Sequence, residues 1–164
     1  MGLINKDYLK TLYLSYEISR VWRICQNEKV IEHSQLGLIS PNELRSYFAN
    51  TPCPFCGEIM VHGKKYSTSS QSEAIARGYQ YINKENKKSI NRAGNTYFHP
   101  NYITLDHKMN KARFPDLMFE CSNLKAVCWR CNQEKGDNNN YEVELIYDSY
   151  HLLAKETLEK FKPL

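Results

Sequence analysis

No apolar run in this chain approaches the roughly 20 residues that a membrane-crossing helix requires, so a membrane helix is not expected. The opening stretch MGLINKDYLK is charged early and lacks a long apolar core, which argues against a secretory leader. Lys6 stands where a myristoylation signal needs Ser or Thr. Internal repeats are absent, and the DNNN run at 137–140 reads as a short flexible joint rather than a low-complexity domain. Six cysteines in 164 residues are too few for a disulfide-dense scaffold. Two pairs of them have C-x-x-C spacing, which points to a metal, and the expected compartment is a reducing cytoplasm.

What remains is a chain of one-domain length with room for a modest core: hydrophobic residues make up 41% and the mean hydropathy is -0.63. The formal net charge of +4 is mild. Its distribution says more. Residues 61–92 carry Lys64, Lys65, Arg77, Lys84, Lys87, Lys88 and Arg92 against Glu73 and Glu85, while the tail from Tyr141 is net acidic. A basic middle suits a phosphate-backbone binder, and a solvated helix face has the same composition.

Leu14, Ile18, Val21, Trp22 and Cys25 recur at helical spacing, so residues 7–32 are expected to form one long amphipathic helix. SPNE at 40–43 is a helix start, with Ser40 as N-cap, Pro41 in the first turn and Glu43 closing a capping box. Residues 70–86 read as a further helix, with Ser70 or Ser72 as cap. YFHPNYITLDH is expected to be extended and NLKAV a second short strand. CWRCNQEKGDN should turn into a short helix ending near Gly136, and residues 141–161 form an amphipathic C-terminal helix. The expected organisation is a helical extension over 1–50, a zinc-stabilised domain over 51–140 with a basic insertion at about 61–95, and a C-terminal helix over 141–164 packing on the core.

Cys53-x-x-Cys56 and Cys128-x-x-Cys131 lie in Pro/Gly/polar turns and make a four-thiolate set suited to a closed, structural Zn²⁺ site. Residues 57–127 lie between the two pairs, so the metal would tie distant parts of the chain together. Cys25 and Cys121 are left over as buried thiols, and His62 and His99 read as ordinary polar residues.

The block from Asp106 to Asp137 offers a strand ending in Asp106-His107, an Asn at the start of the second strand, and Asn132 just after the last zinc cysteine. Carboxylate and amide oxygens suit a hard cation such as Mg²⁺, which keeps several waters. A neutral His beside them can accept a proton from an attacking water near pH 7. Those are the parts of metal-assisted phosphodiester hydrolysis. Adjacent strand residues point to opposite faces, so Asp106 and His107 can serve one ion only from the strand's end, where the backbone turns.

LDH, then NL, then CWRCNQEKGD resembles the HNH nuclease family, over residues 102–137 plus the Cys53/Cys56 knuckle. The resemblance implies an α+β chain with a ββα-metal core, flanked by N- and C-terminal helices. It implies His107 as general base, Asp106 and Asn132 as ligands of a catalytic Mg²⁺ or Mn²⁺, and Asn123 as the residue that fixes the loop between the strands. Lys135 matches a basic residue of the motif and is expected to face phosphate. DNA is the implied partner. The chain departs from many relatives in having ARFPDLMFE where they have a Gly-rich loop. Arg113 on that loop, with Lys84, Lys87 and Lys88 of the insertion, completes the candidate nucleic-acid-binding set, and Tyr79 and Tyr81 are further candidates.

Restriction, homing and anti-phage defence are all compatible roles. Two alternatives stand beside the enzyme: a zinc-stabilised nucleic-acid-binding module without catalysis, and a nuclease subunit of a larger complex. A homodimer, or a partner protein docked through the N-terminal helix, is compatible with either.

Overall fold

The computed structural model describes residues 4–136 and 140–160, so the joint expected at 137–140 lies almost wholly outside the described residues. The chain is a mixture of helices and short antiparallel strands, an α+β arrangement, with the four C-x-x-C cysteines drawn together.

The long helix expected over 7–32 is broken. Helix α1 spans Lys6–Lys10, with the Asn5 side chain capping Asp7 N, and α2 spans Ser15–Ile24. A hairpin follows, β1 (Ile31–His33) against β2 (Gly37–Ile39). Helical phase explains the break. At about 100° per residue, Leu9 and Leu12 would lie on the opposite side of a straight helix from Ile18, Val21 and Cys25. Breaking the chain after Lys10 lets both sets enter one core, where all five are buried.

Helix α3 (Pro41–Phe48) starts as read: the Ser40 hydroxyl accepts from Glu43 N and the Glu43 carboxylate accepts from Ser40 N at 2.7 Å. The first knuckle then closes on itself, with Gly57 N donating to Cys53 O at 2.9 Å and Gly57 at φ 76.

The helix expected over 70–86 is cut to α4 (Gln71–Ala76), with Ser70 as its cap. Gly78, at φ 75, ends it, and the β-favouring Tyr81 and Ile82 pair instead with a second strand. In this basic segment β3 (Ser67–Thr68) precedes α4. After it come β4 (Tyr81–Ile82), β5 (Lys88–Ser89), β6 (Asn91–Ala93) and β7 (Thr96–Phe98). Strands β3, β7 and β6 form a sheet in that order.

The segment that positions the site is the hairpin of β8 (Ile103–His107) and β9 (Leu124–Cys128), followed directly by α5 (Trp129–Lys135). Ile103 pairs with Cys128 and His107 with Leu124. Gly136, at φ 55, ends α5. Along β8 the buried residues alternate: Ile103 joins the cysteine cluster and Leu105 joins the N-terminal core. The described residues up to 50 therefore share a core with the hairpin, through Leu105, Met118, Phe119 and Leu124.

Helix α6 (Asn140–Lys160) was expected to pack on the core, but each of its described side chains, at 147, 148, 150–158 and 160, is exposed. Tyr147, Tyr150, Leu152, Leu153 and Leu158 are spread around its axis and form no single stripe. Among the described residues no helix is long and apolar enough to cross a membrane.

Candidate active site and metal centre

The two knuckles meet. The ligand atoms of Cys53, Cys56, Cys128 and Cys131 all lie within 4.8 Å of one another. Cys56 Sγ and Cys128 Sγ are 3.7 Å apart. A tetrahedron with metal–sulfur bonds of about 2.3 Å requires sulfurs roughly 3.8 Å apart, so the four thiols fit a zinc ion. Burial raises the Cys53 thiol, but amide donors from Cys128, Cys56 and Phe55 outweigh it and bring it down to about 7. Burial pushes Cys128 up to about 11 and Cys131 higher still. Four thiols at this spacing suit a cation that would hold them as thiolates. Cys25 and the half-buried Cys121 belong to the other core.

His107 closes β8 and is 8% exposed. Its Nε2 lies 3.1 Å from Met118 O, and its ring meets Trp22 edge-to-face at 4.6 Å. A carbonyl only accepts, so the Nε2 proton is donated to Met118 O and Nδ1 is the basic atom. Nδ1 has no partner among the described residues. Among the described residues no buried side-chain nitrogen or oxygen lacks one, so Nδ1 is not fully buried. Burial, then the charge of Lys111, pushes the imidazole down to about 3; Lys135 and Arg45 act the same way, and the Met118 carbonyl opposes them. The ring is therefore neutral at pH 7.

Asn123 is buried between the strands. Its Oδ1 accepts from Met109 N at 2.7 Å, and its Nδ2 donates to Met109 O at 3.1 Å and Leu117 O at 3.0 Å. Its own carbonyl accepts from Lys108 N. These bonds hold the loop that carries Met118 O, and through it the ring of His107.

Thr104 and Asp106 point to the other side of β8, toward α5. Asn132 Nδ2 donates to Thr104 Oγ at 3.1 Å, and the Asp106 carboxylate is ion-paired with Lys135 Nζ. Lys135, expected to face phosphate, is thus placed on the carboxylate instead. His107 and Asp106 point to opposite faces of β8, because the strand stays paired in register through His107 and does not turn before it. The expectation that both meet one ion beside Asn132 is not what this geometry displays.

What His107 and Asn132 do share is a cavity of about 790 Å³ along the open edge of β8, which among the described residues pairs with β9 and otherwise has one bridge beside it, between Tyr102 and Val61. Asp106 is not among its lining residues. The cavity also receives Arg45 from α3 and Lys111 from the loop. Arg45 is half-buried, burial lowers its guanidinium to about 10, and its hydrogen bond goes to Asn42 Oδ1 at 2.7 Å, with no carboxylate partner among the described residues. Neither Arg45 nor His62, which lines the same cavity, was expected at the site. Arg45 comes from outside the motif and only the fold delivers it.

The basic insertion does not bring its lysines to this cavity. Lys84 Nζ donates to Glu134 O at 3.2 Å, at the C-terminal end of α5, and Lys87 pairs with Glu85 at 3.2 Å. Lys88 is exposed on β5, and Arg113 is exposed on the loop after β8. Tyr81 hydrogen-bonds Asn91 Oδ1, and Tyr79 is buried.

Comparison of the chain with protein-family models, curated proteins and solved structures finds no match.

Proposed function

We propose that the protein is a metal-dependent endonuclease of the HNH type that hydrolyses DNA phosphodiester bonds, with the β8–β9 hairpin and α5 as a ββα-metal core. The observation that carries this reading is the fixed tautomer of His107: Nε2 is committed to Met118 O while Nδ1 stays open beside a cavity shared with Asn132 and Arg45.

In the reaction, His107 Nδ1 takes a proton from a water whose oxygen attacks phosphorus, and the bond to the 3′ oxygen breaks in line. The leaving oxygen receives a proton from solvent. Bound phosphate offsets the fields of Lys111, Lys135 and Arg45, which raises the basicity of His107 where the proton is transferred. Arg45 offers the phosphate a charge-assisted donor.

Asp106 and Asn132 would hold Mg²⁺ or Mn²⁺, and their oxygen donors fit a hard cation. Lys135 on Asp106 supports the assignment, since that carboxylate already attracts a positive charge. When bound, the ion would stabilise charge on the phosphoryl group and the leaving oxygen. Holding the ion there would require Asp106 to exchange Lys135 for it. A zinc ion on the four thiols would hold Cys131, one residue from Asn132, and so would steady the helix that carries the proposed ligand.

The reading is tested by incubating zinc-loaded protein with supercoiled plasmid and single-stranded circular DNA, with Mg²⁺, with Mn²⁺, or with neither. Cleavage that requires the added ion is expected. Binding without cleavage under all three conditions would favour the module without catalysis.

A further inference from the structure

We infer that the cavity beside His107 receives an unpaired nucleotide, so that the preferred substrate is single-stranded or locally unpaired nucleic acid. This rests on the nuclease reading of the same site and adds the substrate class.

The walls carry the inference. One side is an unbroken run of rings: His62 to Tyr102 at 5.5 Å, Tyr102 to Phe98 at 4.8 Å, and Phe98 to Trp129 at 5.0 Å. All four are partly exposed and line the cavity, and Trp22 lines it beside His107. No Asp or Glu is among the lining residues. Arg45, whose hydrogen-bond partner among the described residues is the neutral amide of Asn42, supplies a cation that none of their carboxylates neutralises.

Flat apolar faces beside such a cation match a nucleotide: the base stacks on rings and the phosphate meets the guanidinium. Inorganic phosphate has no use for the rings, and a neutral aromatic has none for Arg45. A base-paired duplex hides its base faces in the stack and offers only phosphates and groove edges, so it leaves the ring wall unused. At about 790 Å³ the recess is of the size that takes a small ligand, not a duplex. The rings are also fixed to the catalytic elements. Trp129 opens α5, three residues before Asn132, and its N–H donates to Tyr102 O at 2.8 Å. A stacked base would hold its phosphate at a set place relative to His107.

The chain has two tryptophans, Trp22 and Trp129, and both line this cavity, so intrinsic fluorescence reads its occupancy. Zinc-loaded full-length protein, in buffer without Mg²⁺ or Mn²⁺, is titrated with a single-stranded DNA dodecamer, the matching RNA, and the DNA duplex. The expected result is quenching by the single strands, with affinity at least tenfold above the duplex. The tighter of the two single strands identifies the sugar. Phe98→Leu, which keeps apolar volume but removes the central ring, is expected to weaken single-strand binding about fivefold or more and leave zinc content unchanged. Duplex binding equal to or tighter than single-strand binding overturns the inference, as does a zinc-replete Phe98→Leu protein with unaltered single-strand affinity. Cleavage of duplex without preference for unpaired substrate overturns the recess and leaves the nuclease reading standing. Tight single-strand binding with no Mg²⁺- or Mn²⁺-dependent cleavage supports the recess as a nucleotide site and overturns the nuclease reading.

Discussion

The hydroxyl of Thr104 lies 3.1 Å from Nδ2 of Asn132 and donates its own proton to Val127 O at 3.0 Å. A hydroxyl has one proton, and here the Val127 carbonyl takes it, so toward Asn132 the oxygen can only accept. That fixes which end of the amide faces the strand. Asn132 Oδ1 is left without a partner among the described residues and is the atom the proposed cation would use.

Thr104→Val keeps the shape of the side chain and removes both bonds. It is expected to weaken Mn²⁺ binding about tenfold, as loss of a residue supporting a metal ligand commonly does, while Thr104→Ser retains it. Titration followed by the electron paramagnetic resonance of free Mn²⁺ measures this. Unchanged affinity in Thr104→Val would show that the amide needs no such support.

In zinc-loaded, Mg²⁺-free protein, His107 is expected to remain neutral, with the proton on Nε2, down to below pH 5. Long-range ¹H–¹⁵N spectra read both the charge and the tautomer. The sign for stability follows. The folded-state value of about 3 lies below the ordinary 6.5 of the unfolded chain, so the unfolded chain takes up the proton first. The contribution is fully present above about pH 6.5 and is lost as pH falls toward 3, on the order of 1.4 kcal/mol for each pH unit in between. A denaturant midpoint that does not fall between pH 7 and pH 4 would contradict the burial argument.

Cys128→Ser removes one of the four clustered thiols, at a residue that is also the last of β9 and the N-cap of α5. Loss of zinc and of cooperative unfolding is expected together, read by metal analysis and circular dichroism, because binding free energy at such sites is folding free energy. A Cys128→Ser protein that unfolds like the wild type would show that the hairpin and helix stand without the metal.

Asn123→Ala leaves Met109 N, Met109 O and Leu117 O without their side-chain partner. A loss of about 3 kcal/mol in unfolding free energy is expected, since groups deprived of partners bear the desolvation cost. Activity should fall further than stability alone explains, because the freed loop no longer holds Met118 O on His107. Equilibrium unfolding beside cleavage rates separates the two effects.

Local chemistry was legible in the sequence. The capping box at Ser40 and Glu43, the end of β8 at His107 and the end of α5 at Gly136 follow from residues a few positions apart, whereas the stretch expected to be extended over 97–107 is broken by a turn between β7 and β8. The pairing of the two C-x-x-C knuckles followed from metal valence. Long-range choices were not legible. The stripe through Trp22 reads as core, and nothing near it says that Trp22 packs on His107. Likewise Leu9 and Leu12 fit a helix as well as a break, and only the shared core decides. Arg45 gave no local signal, because its role depends on α3 lying against β8. The ion pair of Lys135 with Asp106 depends on how α5 sits on β8, which the motif does not specify.

The most direct test of the account compares wild type and His107→Ala, both zinc-loaded, in Mg²⁺, with nicked and linear products measured over time. The prediction is a fall of about a hundredfold or more in rate for His107→Ala at unchanged zinc content and far-ultraviolet circular dichroism. Cleavage by a folded, zinc-replete His107→Ala protein at the wild-type rate would contradict it.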